Sequence, residues 1–390
     1  MKKIAILHAA NTFNNGSFML LINCVQFLQE TYKDIELHLE FNSDEDRQRL
    51  YKEINSKENI KELELDICKT SNKSFINKAI NLYHKIYSHN KYFKQQGVSE
   101  IIILGGDDFS EYYKGKHIRF DLKRIRNYSK KIPTLFLSQS IGPFYSCRKR
   151  LAKKCFTNTH ILCREDISYT YCSQELGLKN VYPSNDFAFL DLPKQKVIHE
   201  KKKQIAIVPG GNYRLYTKDY DSYIKTWQEI IETILNNTKL KEHKLLLIPH
   251  VTRPEDDRRI IKKLKQANSR IEIIDKELRP SQLRKIIGES DFIISSRMHA
   301  SISSFNQGNA AIVFAHSIKY HGIIGNTIKL PKLIIPETAW ENKSVVSCFE
   351  NSLDYLIDNQ EEIQNQIKTN TNNIQKNLKK QLQKFFTYYV

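Results

Sequence analysis

The sequence predicts an α/β protein built from two Rossmann-like parallel-sheet domains facing across a cleft, with a C-terminal helical tail. Three observations predict it. Short apolar runs alternate with amphipathic stretches, the pattern of strands joined by crossover helices. That alternation breaks once, over the Lys-rich, Pro-containing stretch Leu192–Lys203, and then restarts. The length of 390 residues exceeds one ordinary domain and fits two of roughly 150–200 residues.

In the first half, Ile4–His8, Ile35–Phe41, Glu62–Ile67, Glu100–Leu104, Thr134–Ser138, His160–Cys163 and Val181–Pro183 read as strands. The helices between them are expected over Phe18–Thr31, Glu45–Asn55, about Lys73 to Lys94, Ile118–Lys130, Arg148–Phe156 and Ile167–Leu176.

Beyond the linker, strands are expected at Ile205–Pro209, Lys244–Pro249, Ile271–Ile274, Asp291–Ser295, Ala311–Phe314 and Leu333–Ile335. Helices fall at Asp221–Asn236, Pro254–Gln266, Pro280–Glu289 and Met298–Gln307, and after about Val345 the chain reads as Gln-, Asn- and Lys-rich helix ending in Phe385-Phe386-Thr387-Tyr388-Tyr389. The expected division is residues 1–195, residues 204–340, and helices over 341–390 that pack back on the N-terminal domain.

A hydrophobic fraction of 40% supplies real cores, and 27% charged residues argue against disorder. No run of about 18 apolar residues appears, and the apolar stretch after Lys2-Lys3 is too short for a signal sequence. A cytoplasmic protein is expected. The seven cysteines, at 24, 68, 147, 155, 163, 172 and 348, show no short paired spacing. Reduced thiols are expected, and no metal site.

The formal net charge is +18. Nucleic acid, an anionic membrane surface and anionic substrates are all compatible with it. So is a compositional bias, since the excess is carried by lysines scattered among Asn, Ile and Tyr. The expectation is anionic substrate and peripheral contact with the inner membrane surface, with no nucleic acid.

Ligands in parallel α/β sheets bind beyond the carboxyl ends of the strands. The residues there are unusually polar: Asn11, Asn14, Asn15, Gly16 and Ser17; Gly105, Gly106, Asp107 and Asp108; Ser138-Gln139-Ser140; Arg164, Glu165 and Asp166. The second half supplies Gly210-Gly211-Asn212, His250, Ser296-Arg297-Met298-His299 and His316-Ser317-Ile318-Lys319. Singly each has a plain structural reading, as a tight turn or a helix start. Together they converge on one side of two sheets.

The sharpest segment is Asp291–Gln307. A strand runs into Ser295-Ser296, an N-cap pair, and then into a helix that stops at Gly308. A helix N-terminus favours an anion, and Arg297 adds a planar charge suited to phosphate or carboxylate. On a regular helix Arg297 and His299 would point about 200° apart. Both can face one ligand only if Arg297 lies in a non-helical entry turn.

These residues resemble the polysaccharide pyruvyl transferase family. The resemblance rests on Asn14-Asn15-Gly16-Ser17, on Cys163-Arg164-Glu165-Asp166-Ile167-Ser168-Tyr169 continuing to Asn185-Asp186-Phe187-Ala188-Phe189, and on Ile248-Pro249-His250 with Asp256-Asp257. It is most specific at Ile294-Ser295-Ser296-Arg297-Met298-His299-Ala300, followed by Gly308 and Lys319-Tyr320-His321-Gly322. Two departures stand out. Gly105-Gly106-Asp107-Asp108 replaces a longer glycine-rich run, and Ser17 stands where an aspartate is common.

The resemblance implies a GT-B-like architecture and transfer of the pyruvyl unit of phosphoenolpyruvate onto two sugar hydroxyls, giving a cyclic ketal and phosphate without a cofactor. It also implies roles. Arg297, Arg164 and Lys319 would grip phosphoenolpyruvate, and His299 would handle protons, with His250 or Glu165 as second choices. Ser296, Asp186, Asn14, Gly16, Gly105, Gly106, Asp107, Asp108 and Gly210 complete the expected substrate-binding set, with Arg164 and Glu165 across the cleft from Arg297. The alternatives are a GT-B glycosyltransferase using a nucleotide sugar and a catalytically inactive glycan-binding protein.

Overall fold

The computed structural model describes residues 1–64, 88–111, 115–198, 200–265 and 268–389. Most of the helix expected at Lys73–Lys94, the end of the strand expected at Glu62–Ile67, and Cys68 lie outside the described residues; 88–96 is helical.

Two parallel sheets carry the fold. The first holds β1 (Lys2–Leu7), β2 (Ile35–Leu39), β3 (Ile60–Glu62), β4 (Glu100–Leu104), β5 (Thr134–Gln139), β6 (His160–Cys163) and β7 (Val181–Pro183), in the order β3-β2-β1-β4-β5-β6-β7. The second holds β8 (Gln204–Val208), β9 (Lys244–Leu247), β10 (Ile271–Ile273), β11 (Phe292–Ser295), β12 (Ala310–Phe314) and β13 (Ile334–Ile335), in the order β10-β9-β8-β11-β12-β13. Every pairing between these strands is parallel. Each sheet therefore shows the doubly wound order, running outward from its first strand and then reversing. The GT-B-like two-Rossmann fold class is what the alternation predicts.

Strands covered on both faces by helices must be apolar throughout. That is why β4 reads Glu-Ile-Ile-Ile-Leu and β12 reads Ala-Ala-Ile-Val-Phe, buried at every position. The covering helices show the complementary stripe. In Tyr220–Asn236 the buried positions are Tyr223, Trp227, Ile230, Ile231 and Ile234, a single helical face, and Asp219 caps the start by accepting from the amides of Asp221 and Ser222. Each such large side chain, fully buried, contributes about 1.5–3 kcal/mol.

The chain divides into two compact units, one of Met1–Ala10, Cys24–Phe187 and Lys379–Val390, the other of Asn11–Asn23 and Ala188–Leu378. This differs from a simple division near residue 195 in three places. Asn11–Asn23 belongs to the second unit. There the Asn15 amide and side chain both donate to the His250 carbonyl, at 3.2 and 2.9 Å, and Asn14 bridges Val251.

The change of unit also falls at Phe187/Ala188, before the Lys-rich stretch. The buried Arg284 guanidinium holds the following segment, donating to the carbonyls of Ala188 and Leu190 and to Gln195. In helix Gln360–Tyr389, Asn370 and Gln375 donate to the carbonyls of Ile328 and Phe189 in the second unit. Its last turns, from Lys379, belong to the first unit, where Phe386 packs on Phe27 and Tyr32.

One helix begins later than expected. Asp257–Leu264 replaces Pro254–Gln266 because the Asp256 carboxylate accepts from the Arg258 amide and sets the start there. Among the described residues no helix is long and apolar enough to cross a membrane.

Candidate active site

In a doubly wound sheet the crevice forms where strand order reverses, between the loops that leave the two central strands. In the second unit those strands are β8 and β11. Their loops carry Gly210-Gly211 and Ser296-Arg297, two of the polar segments singled out above.

Local hydrogen bonds shape the turn after β11. The Ser295 hydroxyl donates to the Arg297 carbonyl and accepts from the Arg297 amide, each at 2.9 Å. Arg297 is thereby held extended, at φ −110° and ψ 111°, as the N-cap residue, and the helix starts at Met298. The non-helical entry turn that the 200° argument requires is present. Ser296 Oγ accepts from the Gly210 amide at 2.6 Å. A Cβ at Gly210 would stand 2.9 Å from Ser296 Oγ and 3.1 Å from Arg297 Nε, so the close approach of the two loops needs glycine.

Asp257 ties three loops together. Oδ1 accepts from Arg297 Nη2 and from the Gly211 amide, both at 2.6 Å. Oδ2 accepts from the amides of His250 and Val251, at 3.0 and 2.8 Å. Burial disfavours the Arg297 charge, but Asp257 outweighs it and raises the guanidinium pKa above its ordinary value. The result is a fixed, permanent cation.

Asn14-Asn15-Gly16 does three separate jobs in the same unit. The Asn14 side chain accepts from the Gly16 amide at 3.1 Å at the start of helix Asn15–Thr31, and Asn15 fastens to the His250 carbonyl. Gly16 lies against the His299 ring, where any Cβ would overlap Nδ1 and Cγ. The sequence reading grouped Asn14 and Gly16 with the N-terminal domain; the structure puts them with His250 and His299.

His250 is buried, and neither ring nitrogen has a hydrogen-bond partner among the described residues. Burial, then the charges of His299 and Arg297, push its pKa well below the ordinary range. It is a neutral ring. The Tyr216 and Tyr320 hydroxyls both reach the Ser296 carbonyl, at 2.8 and 3.2 Å, and His316 Nδ1, at 3.0 and 3.2 Å. Burial, with Arg297 nearby, lowers the His316 pKa to about 3. Lys319, half-buried beside Tyr320, is lowered to about 7 by loss of solvent.

In the first unit the central strands are β1 and β4. The loop after β4 packs against the end of β5. Gly105 has no room for a Cβ beside the Ser138 carbonyl, and the Gly106 carbonyl accepts from the Ser140 amide at 3.0 Å. The Asp107 carbonyl accepts from Ser110 Oγ, and Asp108 Oδ2 meets His8 Nδ1 at 3.0 Å.

Three expectations for this unit are corrected. Arg164 does not present a cation to a ligand. It is buried, pairs with the equally buried Asp186 at 2.8 Å, and donates through Nε to Ser140. Asp186 is correspondingly an internal counter-ion. Glu165 is a helix cap, with one oxygen accepting from the Ser168 amide at 2.8 Å and the other engaged by the Ser168 hydroxyl. Both of its oxygens are committed.

The sequence reading did not single out Asp257, Tyr216 or Tyr320 as the residues that surround the Arg297 turn. Asp257 could have been found, since Asp256-Asp257 was already noted beside His250. Tyr320 lies inside the noted Lys319-Tyr320-His321-Gly322 stretch, whereas Tyr216 carries no local signal.

The family model "Polysaccharide pyruvyl transferase" matches residues 14–318. Among solved structures, the fold is similar to UDP-GlcNAc 2-epimerase from Neisseria meningitidis bound to UDP-GlcNAc, at 11% identity and TM-score 0.60, covering 99% of this chain and 100% of that one. It is also similar to sucrose-phosphate synthase from Thermosynechococcus elongatus, at 10% identity and TM-score 0.63, covering 99% and 98%. The UDP-GlcNAc 2-epimerase from Methanocaldococcus jannaschii matches at 11% identity and TM-score 0.57, covering 90% and 91%. No curated protein matches the chain.

Proposed function

The chain belongs to the polysaccharide pyruvyl transferase family, and from that premise we propose that it moves the pyruvyl group of phosphoenolpyruvate onto two hydroxyls of one sugar. The sugar is part of a cell-surface polysaccharide or a lipid-linked glycan precursor. The products are a cyclic ketal and phosphate, with no cofactor. The observation that carries the reading is Arg297, locked by Asp257 in an extended entry turn beside His250 and the helix that bears His299.

Phosphoenolpyruvate brings a phosphate and a carboxylate. Arg297 takes one of them in two-point fashion, and Lys319 supplies a second cation when protonated. Neutral His250 contributes a hydrogen bond without added charge. His299 delivers a proton to carbon 3 as a first acceptor hydroxyl attacks carbon 2. A second hydroxyl of the same sugar then displaces phosphate, which leaves with its bridging oxygen. One hydroxyl proton is thus balanced by the new methyl group and the other by the released phosphate.

A lipid-linked acceptor puts the enzyme at the inner face of the cell membrane, where a net charge of +18 favours anionic lipid. Salt-sensitive sedimentation with anionic liposomes is the expected behaviour, and its absence removes that contact.

A thermal-shift series tests the substrate. Phosphoenolpyruvate is expected to raise the melting temperature, and UDP, GDP and CMP sugars to leave it unchanged. The opposite pattern supports a nucleotide-sugar glycosyltransferase instead.

A further inference from the structure

Within the second unit, the start of helix Asn15–Thr31 and the loop after β9 meet at one carbonyl. The His250 carbonyl accepts from the Asn15 amide at 3.2 Å and from Asn15 Nδ2 at 2.9 Å. A carbonyl cannot donate, so the second bond fixes which end of the Asn15 side-chain amide is nitrogen. Oδ1 is the other end, and it has no hydrogen-bond partner among the described residues. Asn15 is 2% exposed, so bulk water does not serve that oxygen either.

His250 shares this character. It too is 2% exposed, and neither ring nitrogen has a partner among the described residues. Asp257 holds both the His250 amide and the Arg297 guanidinium, which keeps a permanent cation in the same cluster. Burial first, then the charges of His299 and Arg297, push the His250 pKa well below its ordinary range. The neutral ring offers one N–H and one lone-pair nitrogen.

Buried polar atoms are paired as a rule, and an unpaired one costs stability, so its retention points to a ligand. The chemistry of these atoms says which ligand suits each. Asn15 Oδ1 and the lone-pair nitrogen of His250 only accept. The ionised phosphate and carboxylate of phosphoenolpyruvate also only accept, and so satisfy neither. Those anions suit the donors instead: the His250 N–H and Arg297 Nε, which also has no partner among the described residues. A sugar hydroxyl brings the proton that an acceptor needs. Two acceptors match two hydroxyls, the number that a cyclic ketal consumes.

We propose that Asn15 Oδ1 and the lone-pair nitrogen of His250 receive the two hydroxyl protons of the acceptor sugar, and so select a diol for reaction. This rests on the pyruvyl-transfer reading and adds the residues that recognise its acceptor. His250 then stands between the substrates, its N–H on phosphoenolpyruvate and its lone pair on the sugar. A sugar lacking either hydroxyl leaves a buried acceptor unpaired and is rejected.

Two variants test the pair. In Asn15→Ala the backbone amide still holds the His250 carbonyl, and alanine suits a helix. Transfer to membrane-extracted lipid-linked glycans is measured beside phosphoenolpyruvate binding by calorimetry and beside melting temperature. Asn15→Ala should raise KM for the glycan roughly 3–10-fold, the weight of one hydrogen bond. Its affinity for phosphoenolpyruvate should be unchanged and its melting temperature no lower. His250→Leu should lose on the order of 10–100-fold in kcat/KM for the glycan. It should also melt about 2–4 °C higher in the absence of substrate, because unpaired polar atoms leave a buried position. Residues kept for packing alone would do the opposite.

An unchanged glycan KM in Asn15→Ala overturns the inference, as does an equal loss of phosphoenolpyruvate affinity. Melting temperatures that fall in both variants make the pair structural and overturn it too. A wild-type protein that transfers no pyruvyl group overturns the functional reading and this inference with it. An active wild type with any of the earlier results overturns the inference alone.

Discussion

Arg297 and Asp257 form an ion pair at 2.6 Å in which the carboxylate is fully buried and the guanidinium keeps 18% of its side chain exposed. The asymmetry is the point. Asp257 is spent entirely on the protein, accepting from Gly211, His250 and Val251 as well as Arg297. Arg297 retains an exposed edge. One residue is scaffold and the other is the instrument it holds.

Removing the scaffold should hurt twice. Asp257→Ala leaves three backbone amides and a guanidinium uncompensated, so a loss of about 3–5 kcal/mol is expected, read by denaturant titration. Asp257→Asn keeps oxygen acceptance at one position and should fold better, yet bind phosphoenolpyruvate about tenfold more weakly, a penalty of about 1.4 kcal/mol. Calorimetry with unchanged affinity would remove Asp257 from the site.

Gly16 and His299 make a second pair of unequal partners. Gly16→Ala adds one methyl where the imidazole lies. The ring must move, and a displacement near 1 Å costs about 100-fold in turnover. Phosphoenolpyruvate affinity should change little, because Arg297 and Asp257 are untouched. A kcat equal to the wild type shows that the His299 ring position does not matter to the chemistry.

These two pairs show what was legible in the sequence. Strand-following polar residues stood out because parallel strands buried on both faces leave their chemistry to the loops. The extended turn at Arg297 was legible as a condition, because Ser295-Ser296 can cap and a regular helix cannot aim both residues. The pairing of Gly16 with His299 was not legible, since nothing local in Asn14-Asn15-Gly16 says which sheet it joins. Arg164 misled for a related reason. A charged residue after a strand looks alike in sequence whether it faces a ligand or an internal carboxylate, and only the placement of Asp186 decides.

Arg164 and Asp186 should therefore behave as a structural couple. Arg164→Met leaves the Asp186 carboxylate buried without its partner and should cost about 3–5 kcal/mol; the double change Arg164→Met with Asp186→Leu should recover much of it. A double-mutant cycle by chemical denaturation measures the coupling. Independent, additive losses would return Arg164 to the list of ligand-facing cations.

Lys319 gives the site a pH dependence. Its pKa is lowered to about 7 by burial, so the amine is charged below that pH and neutral above it. As a partner for an anion it helps at low pH, and phosphoenolpyruvate affinity should weaken as pH rises through about 7. Binding above that point should take up a proton, seen as a buffer-dependent heat in calorimetry. Lys319→Arg, always charged, should flatten the profile. A wild-type affinity that is level from pH 6 to about 9, within which an unshifted lysine would stay protonated, contradicts the assignment.

The account as a whole turns on one coupled reaction. Lipid-linked glycans incubated with the protein and phosphoenolpyruvate can be followed by mass spectrometry while phosphate is assayed in the same mixture. The predicted result is a glycan heavier by one pyruvate minus one water, with phosphate released in equal amount and only when glycan is present, and with both signals lost in Arg297→Ala. Phosphate release without glycan modification, or a glycan extended only when a nucleotide sugar is supplied, would contradict it.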